Sequence, residues 1–139
     1  MVQIISGKKG KGKTKYLLEK ANNAVNEANG SIVYLDKSAK HMYELSNKVR
    51  LINVSDYPVR SFNGFIGFIC GLISQDHDLE QIYLDSFLKL SHLEGKDISE
   101  EVALLEQISQ DFGVTFVLSV SADDADLADS VKPYIVISL

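Results

Sequence analysis

Residues 7–14 read Gly7-Lys8-Lys9-Gly10-Lys11-Gly12-Lys13-Thr14, which is the pattern G-x-x-x-x-G-K-[ST] of a phosphate-binding P-loop. Glycines let a backbone wrap a phosphate without Cβ clashes. Successive N–H groups then point inward as an anion nest, and a following helix adds its positive N-terminal end. In such a loop Lys13 reaches the β and γ phosphates, and the Thr14 hydroxyl binds Mg2+. Gly7, Lys8, Lys9, Gly10, Lys11, Gly12, Lys13 and Thr14 are therefore the candidate nucleotide-binding residues. No G-x-G-x-x-G is present, so a dinucleotide fold is not indicated.

The flanks fit. Val2–Ser6 is a short, apolar, β-branched run that reads as a buried strand opening into the glycines. From Lys13 to about Ala28 the spacing predicts a helix, ended by Asn29-Gly30. Further strands are expected at Ser31–Asp36, Val49–Val54, Gln81–Asp85, Val114–Val120 and Tyr134–Leu139. Further helices are expected at Ser38 to about Lys48, at Arg60 to about Ser74 and over 122–131, the last short and acidic. Asp97-Ile98-Ser99-Glu100 fits a capping box, with a helix running to about Phe112 and Gly113 as its stop. Residues 75–80 read as an acidic loop, and 86–96 carry no clear pattern. Strands alternating with helical patterns predict an α/β protein with a mostly parallel central sheet, in three layers. Runs such as VTFVLSV and YIVISL suit strands buried on both faces.

Composition sets the class. The 139 residues make one domain, 1–139, large enough to hold its own core. A single cysteine, Cys70, excludes a disulfide framework and a zinc-site spacing, and it is expected to be buried in its helix. The three histidines are too scattered for a metal site. Net charge is −5, yet residues 8–20 hold six lysines and one acid, Glu19. A local basic spot on an acidic body suits a compact anionic ligand and argues against nucleic acid as a partner. The most apolar helical stretch, Phe62–Ile73, is too short for a membrane span, which needs about 20 residues. No targeting segment is visible, so the expectation is a cytoplasmic protein without a membrane partner.

A nucleotide site of this kind needs a carboxylate at a buried strand end to hold Mg2+ through water. Asp85, in Gln81-Ile82-Tyr83-Leu84-Asp85-Ser86, is preferred, because it comes later and is followed by a helix–strand unit. Asp36, in Ile32-Val33-Tyr34-Leu35-Asp36, has the same local pattern. Lys13, Asp85 and Asp36 are thus the candidate catalytic residues, with Thr14 and Asp85 on the metal. Tyr34, Tyr43, Tyr57, Tyr83 and Tyr134 offer adenine stacking, and nothing selects among them.

On Gly7–Thr14, Tyr83-Leu84-Asp85-Ser86 and the run Leu104–Ser121, the chain resembles the RecA-like group of P-loop ATPases. The resemblance implies a minimal RecA-like core that binds ATP and Mg2+, with Ser119 or Ser121 as a polar sensor residue. It also implies a strand inserted between the loop strand and the Asp85 strand. Such ATPases carry a water-orienting glutamate; here only Asp36 or Asp56 could stand in, and the DNA-binding loops are lacking. The expected activity is a weak or partner-dependent Mg-ATPase. Gly7–Thr14 is also similar to the deviant loop of ParA/MinD-like ATPases, with Lys8 on their signature lysine. That resemblance implies a nucleotide-switched dimerising regulator. A non-hydrolysing nucleotide-binding interaction module, acting through self-assembly or a protein partner, is a further reading. A small phosphotransferase is disfavoured, since Arg50 and Arg60 are the only arginines.

Overall fold

The computed structural model describes residues 1–139. Six strands form one sheet: β1 (Val2–Ser6), β2 (Ser31–Asp36), β3 (Val49–Asn53), β4 (Leu79–Leu84), β5 (Thr115–Val120) and β6 (Ile135–Ser138). Every pairing is parallel, and the spatial order is β3-β2-β4-β5-β1-β6. β5 therefore lies between β1 and β4. Four helices accompany the sheet: α1 (Lys13–Ala24), α2 (Phe62–Gln75), the short α3 (Phe87–Leu90) and α4 (Ser99–Phe112).

Period-two alternation divides each strand between two cores. Ile4, Val33, Leu35, Ile82, Leu84, Phe116 and Leu118 join buried residues of α2, α3 and α4 in the larger cluster. Ile5, Ile32, Tyr34, Tyr83 and Val117 join Leu17, Leu18 and Ala21 of α1 in the smaller one. The molecule is thus an α/β protein with helices on both faces of a parallel sheet. No helix is long and apolar enough to cross a membrane.

The strands fall close to their expected places. β4 starts earlier than expected, at Leu79, so it takes in the end of the acidic loop and stops one residue before Asp85.

Four helical expectations are corrected. Ser38–Lys48 forms turns, not a helix. Its apolar residues share no buried face: Leu45 is buried, whereas Tyr43 is 91% and Met42 51% exposed. Helices get most of their stability from burying such a face. The side chain of Asn22 instead pins the segment, donating to the Glu44 carbonyl at 2.8 Å and accepting from the Ser46 N–H at 2.8 Å. Residues 122–131 likewise form only a single 3-10 turn at Asp124–Asp126. α1 ends at Ala24 and passes into turns, short of Ala28. The capping box does not form: α4 starts at Ser99, and Asp97 Oδ1 accepts from the Ser99 N–H at 3.0 Å and the Ser99 hydroxyl at 2.6 Å.

The expected stop at Gly113 forms. Gly113 ends α4 in the left-handed conformation and donates to the Ser109 carbonyl at 2.8 Å. Ser61 caps α2, its hydroxyl accepting from the Gly64 N–H at 3.1 Å. Cys70, expected in the core, faces solvent instead, because Phe65, Ile69, Leu72 and Ile73 take the buried face of α2.

Candidate functional site

The carboxyl ends of parallel strands open outward, and ligands of such sheets bind there. The loop 7–14 leaves β1, Asp36 ends β2, Asp85 follows β4 and Ser119 lies near the end of β5. Alternation also sets their facing. Asp36, Asp85 and Ser119 each lie two residues beyond Tyr34, Tyr83 and Val117, which pack on the α1 side. Asp85 and Ser119 thus meet Thr14 beneath the first turn of α1, while Asp36 stays one strand away.

An open cleft of about 520 Å3 lies at this place. Its walls include Gly10, Gly12, Lys13 and Thr14 on one side and Asp85, Ser86, Ser119 and Ser121 beyond them. Lysines dominate its charge: Lys9, Lys13, Lys37 and Lys89 face two acids, Asp85 and Glu94.

The loop carries three features of an anion cradle. First, Gly7, Gly10 and Gly12 have φ of 154°, 83° and 90°, values that only glycine adopts readily. Second, from Lys8 through Lys15 no backbone N–H donates to any acceptor in the protein. Third, α1 has Gly12 at its N-cap, with no side-chain cap and no acid in its first turn. Helix starts are commonly closed by Ser, Thr, Asp or Asn; this one is left with its positive end free.

Lys13 is buried and folded back onto the loop. Its Nζ donates to the Gly7 carbonyl at 2.6 Å and the Lys8 carbonyl at 2.9 Å. Burial lowers its pKa from the ordinary lysine value, and the charge of Asp85 works against that shift.

Asp85 is the hub. Its Oδ1 accepts from the Thr14 hydroxyl at 3.2 Å and the Ser119 hydroxyl at 2.8 Å, and its Oδ2 accepts from the Tyr34 hydroxyl at 2.9 Å. Ser119 also accepts from the Ser86 N–H at 2.8 Å, which fixes the turn after β4. Ser86 holds that turn at a φ of 56°. Tyr34 is fully buried, and burial, with Asp85 beside it, pushes its hydroxyl pKa far up, so it stays a neutral donor.

Asp36 stands one strand away and is also buried. Its Oδ1 accepts from the Lys37 N–H at 2.7 Å, while Oδ2 has no partner. Burial, then the nearby Asp85 charge, raises its pKa above the ordinary carboxylate value.

Other sequence candidates lie elsewhere. Lys8 pairs with Asp123 of its own chain at 3.2 Å on the surface. Gly7, Lys8, Lys11 and Asp36 do not line the cleft, and neither does Asp56, which is exposed beyond β3. No tyrosine lines it: Tyr34 and Tyr83 are stacked in the core with centroids 6.1 Å apart. Lys37 and Lys89 were not found from sequence. Neither sits in a motif, although inspecting the residue after each strand end would have raised Lys37.

Hard oxygen donors suit Mg2+, which is commonly held by one or two carboxylates, waters and a substrate phosphate. Thr14 Oγ1 and Asp85 supply such a set, and no cluster of three or more His, Cys, Asp or Glu side chains offers another. The chain matches no protein-family model and no curated protein.

Proposed function

We propose that the chain binds a nucleoside triphosphate, ATP, with Mg2+ in this cleft, as a minimal RecA-like P-loop core with weak or partner-dependent ATPase activity. The observation that carries the reading is the loop itself: a run of unpaired backbone N–H groups at an uncapped helix start, with a buried lysine inside it. Such a site suits an anion with several oxygens. The strand β5 between β1 and β4 supports the RecA-like form over others. The dimerising alternative leans on Lys8, whose ammonium is engaged by Asp123 in the same chain.

In this reading the loop amides hold the α and β phosphates. Lys13 exchanges its two carbonyl acceptors for phosphate oxygens. Thr14 and Asp85 would hold Mg2+. Such an ion would supply neutralisation of phosphate charge. Tyr34 and Ser119 aim the Asp85 carboxylate and donate to it. Asp36, with a raised pKa and a free oxygen, takes the place of the water-orienting glutamate.

Replacing Asp85 separates metal from phosphate. Asp85→Asn should reduce the Mg2+ dependence of ATP binding while leaving metal-free ADP bound as in the wild type. Titration calorimetry with and without Mg2+ reads this directly. If Asp36→Asn removes the Mg2+ effect and Asp85→Asn does not, the metal role belongs to the β2 strand end.

A further inference from the structure

Across the cleft from the loop 7–14 two lysines, Lys37 and Lys89, stand with one acid, Glu94, and nothing in the proposed function uses them. Lys37 directly follows β2, one strand beyond Asp85, and Lys89 lies on α3, the helix that starts two residues after Asp85. Both side chains are exposed and line the same cleft as Lys13 and Thr14. Neither forms an ion pair; the chain's ion pairs lie elsewhere, at Glu106, Asp123, Glu44 and Asp129. Two like charges converging on one wall without a bound carboxylate repel each other, and an anion between them removes that repulsion. Partial loss of hydration against the protein surface, and after it the approach of Lys89, lowers the pKa of Lys37, in keeping with such crowding.

Strand order gives the direction. From β1 the carboxyl ends run through Ser119 on β5 and Asp85 after β4 to Lys37 after β2. A phosphate chain that starts on the loop amides and passes the Thr14–Asp85 pair meets Lys37 and Lys89 next. We infer that Lys37 and Lys89 form an anion subsite opposite the loop that takes the terminal phosphate of a bound nucleoside triphosphate. The inference rests on the nucleotide reading above and deepens it: the subsite makes the protein distinguish triphosphate from diphosphate. The same wall would offer positive charge to the γ-phosphate from within one chain.

The test is calorimetry of Mg-ATP and Mg-ADP on the wild type and on the double variant Lys37→Gln/Lys89→Gln. Both side chains are solvent-exposed, and equal melting temperatures establish that the variant is folded. The wild type should prefer ATP by about tenfold or more, the scale of one or two hydrogen bonds to charged groups. The variant should keep its ADP affinity within about twofold, a change of under ~0.5 kcal/mol, and lose most of the preference for ATP. An undiminished preference, or equal loss for both nucleotides, overturns the subsite and leaves the nucleotide site standing. A wild type that binds both nucleotides equally also overturns it. A wild type that binds neither overturns the nucleotide reading, and the subsite falls with it. Adding inorganic phosphate to the ADP complex separates a second source: phosphate binding there that is stronger than the ATP preference predicts marks the subsite as one for a separate phosphorylated acceptor and overturns its assignment to the nucleotide.

Discussion

Asp36 holds a buried carboxylate oxygen that no donor satisfies, beside a second buried carboxylate on the neighbouring strand. A buried unsatisfied acceptor costs about 1–3 kcal/mol. The sign of its pH effect follows from its raised pKa. The folded state holds the proton more tightly than the unfolded chain does, so stability is fullest below the unfolded carboxylate pKa of about 4. It declines as pH rises through the raised folded value. Asp36→Asn should therefore raise the melting temperature at pH 7, by on the order of 1 kcal/mol of stability. The advantage should shrink towards pH 4. Thermal melts at several pH values check this; a destabilised variant at pH 7 would mean that the carboxylate is satisfied in solution.

Gly30 shows what one element junction tolerates. A Cβ there would stand 1.9 Å from the Asp78 carbonyl oxygen, which accepts the Ser31 N–H at 2.8 Å. That bond joins the starts of β2 and β4. Gly30→Ala should destabilise the fold by about 1–3 kcal/mol, the usual range for overpacking, measurable by urea unfolding. Unchanged stability would show that the junction can open freely. The sequence signal at this position was a helix stop, yet α1 had already ended at Ala24. Inner strands such as β5 were legible because parallel, doubly buried segments read as unbroken β-branched runs. The last run, expected to be buried on both faces, is instead the edge strand β6, with Val136 50% exposed. Helices were legible where a continuous apolar face had something to pack on, as on α2 and α4. Ser38–Lys48 and 122–131 offered helix-forming residues without such a face, and local propensity alone did not form them. The acids of the second segment tie loops instead: Asp124 accepts from Ser6, and Asp123 pairs with Lys8.

At the scale of the molecule, strand order carried no local signal, because it is set by pairing between residues far apart; only the family resemblance implied the strand between β1 and β4. It is strand order that brings Asp85, Ser119, Thr14 and Tyr34 into one hydrogen-bonded group. Thr14 and Asp85 carried local signals; the placement of Tyr34 against Asp85 and of Lys37 and Lys89 in the cleft arises only on folding. Neither arginine lines the cleft, and lysine lacks the planar, two-pronged donor geometry of arginine. An arginine supplied by a partner can add roughly 10³–10⁵ in rate. Turnover by dilute protein should therefore stay below the enzyme median of about 10 per second, as phosphate release across a concentration series would show. Fast turnover that is lost in Lys13→Ala would mean a complete catalytic set within one chain. The central claim is that the loop 7–14 is a polyphosphate site, and calorimetric titration of ATP into the wild type and Lys13→Ala tests it most directly. The account predicts binding by the wild type and a loss of about 1.5–3 kcal/mol in the variant; equal affinity of the two proteins, or no binding by the wild type, would contradict it.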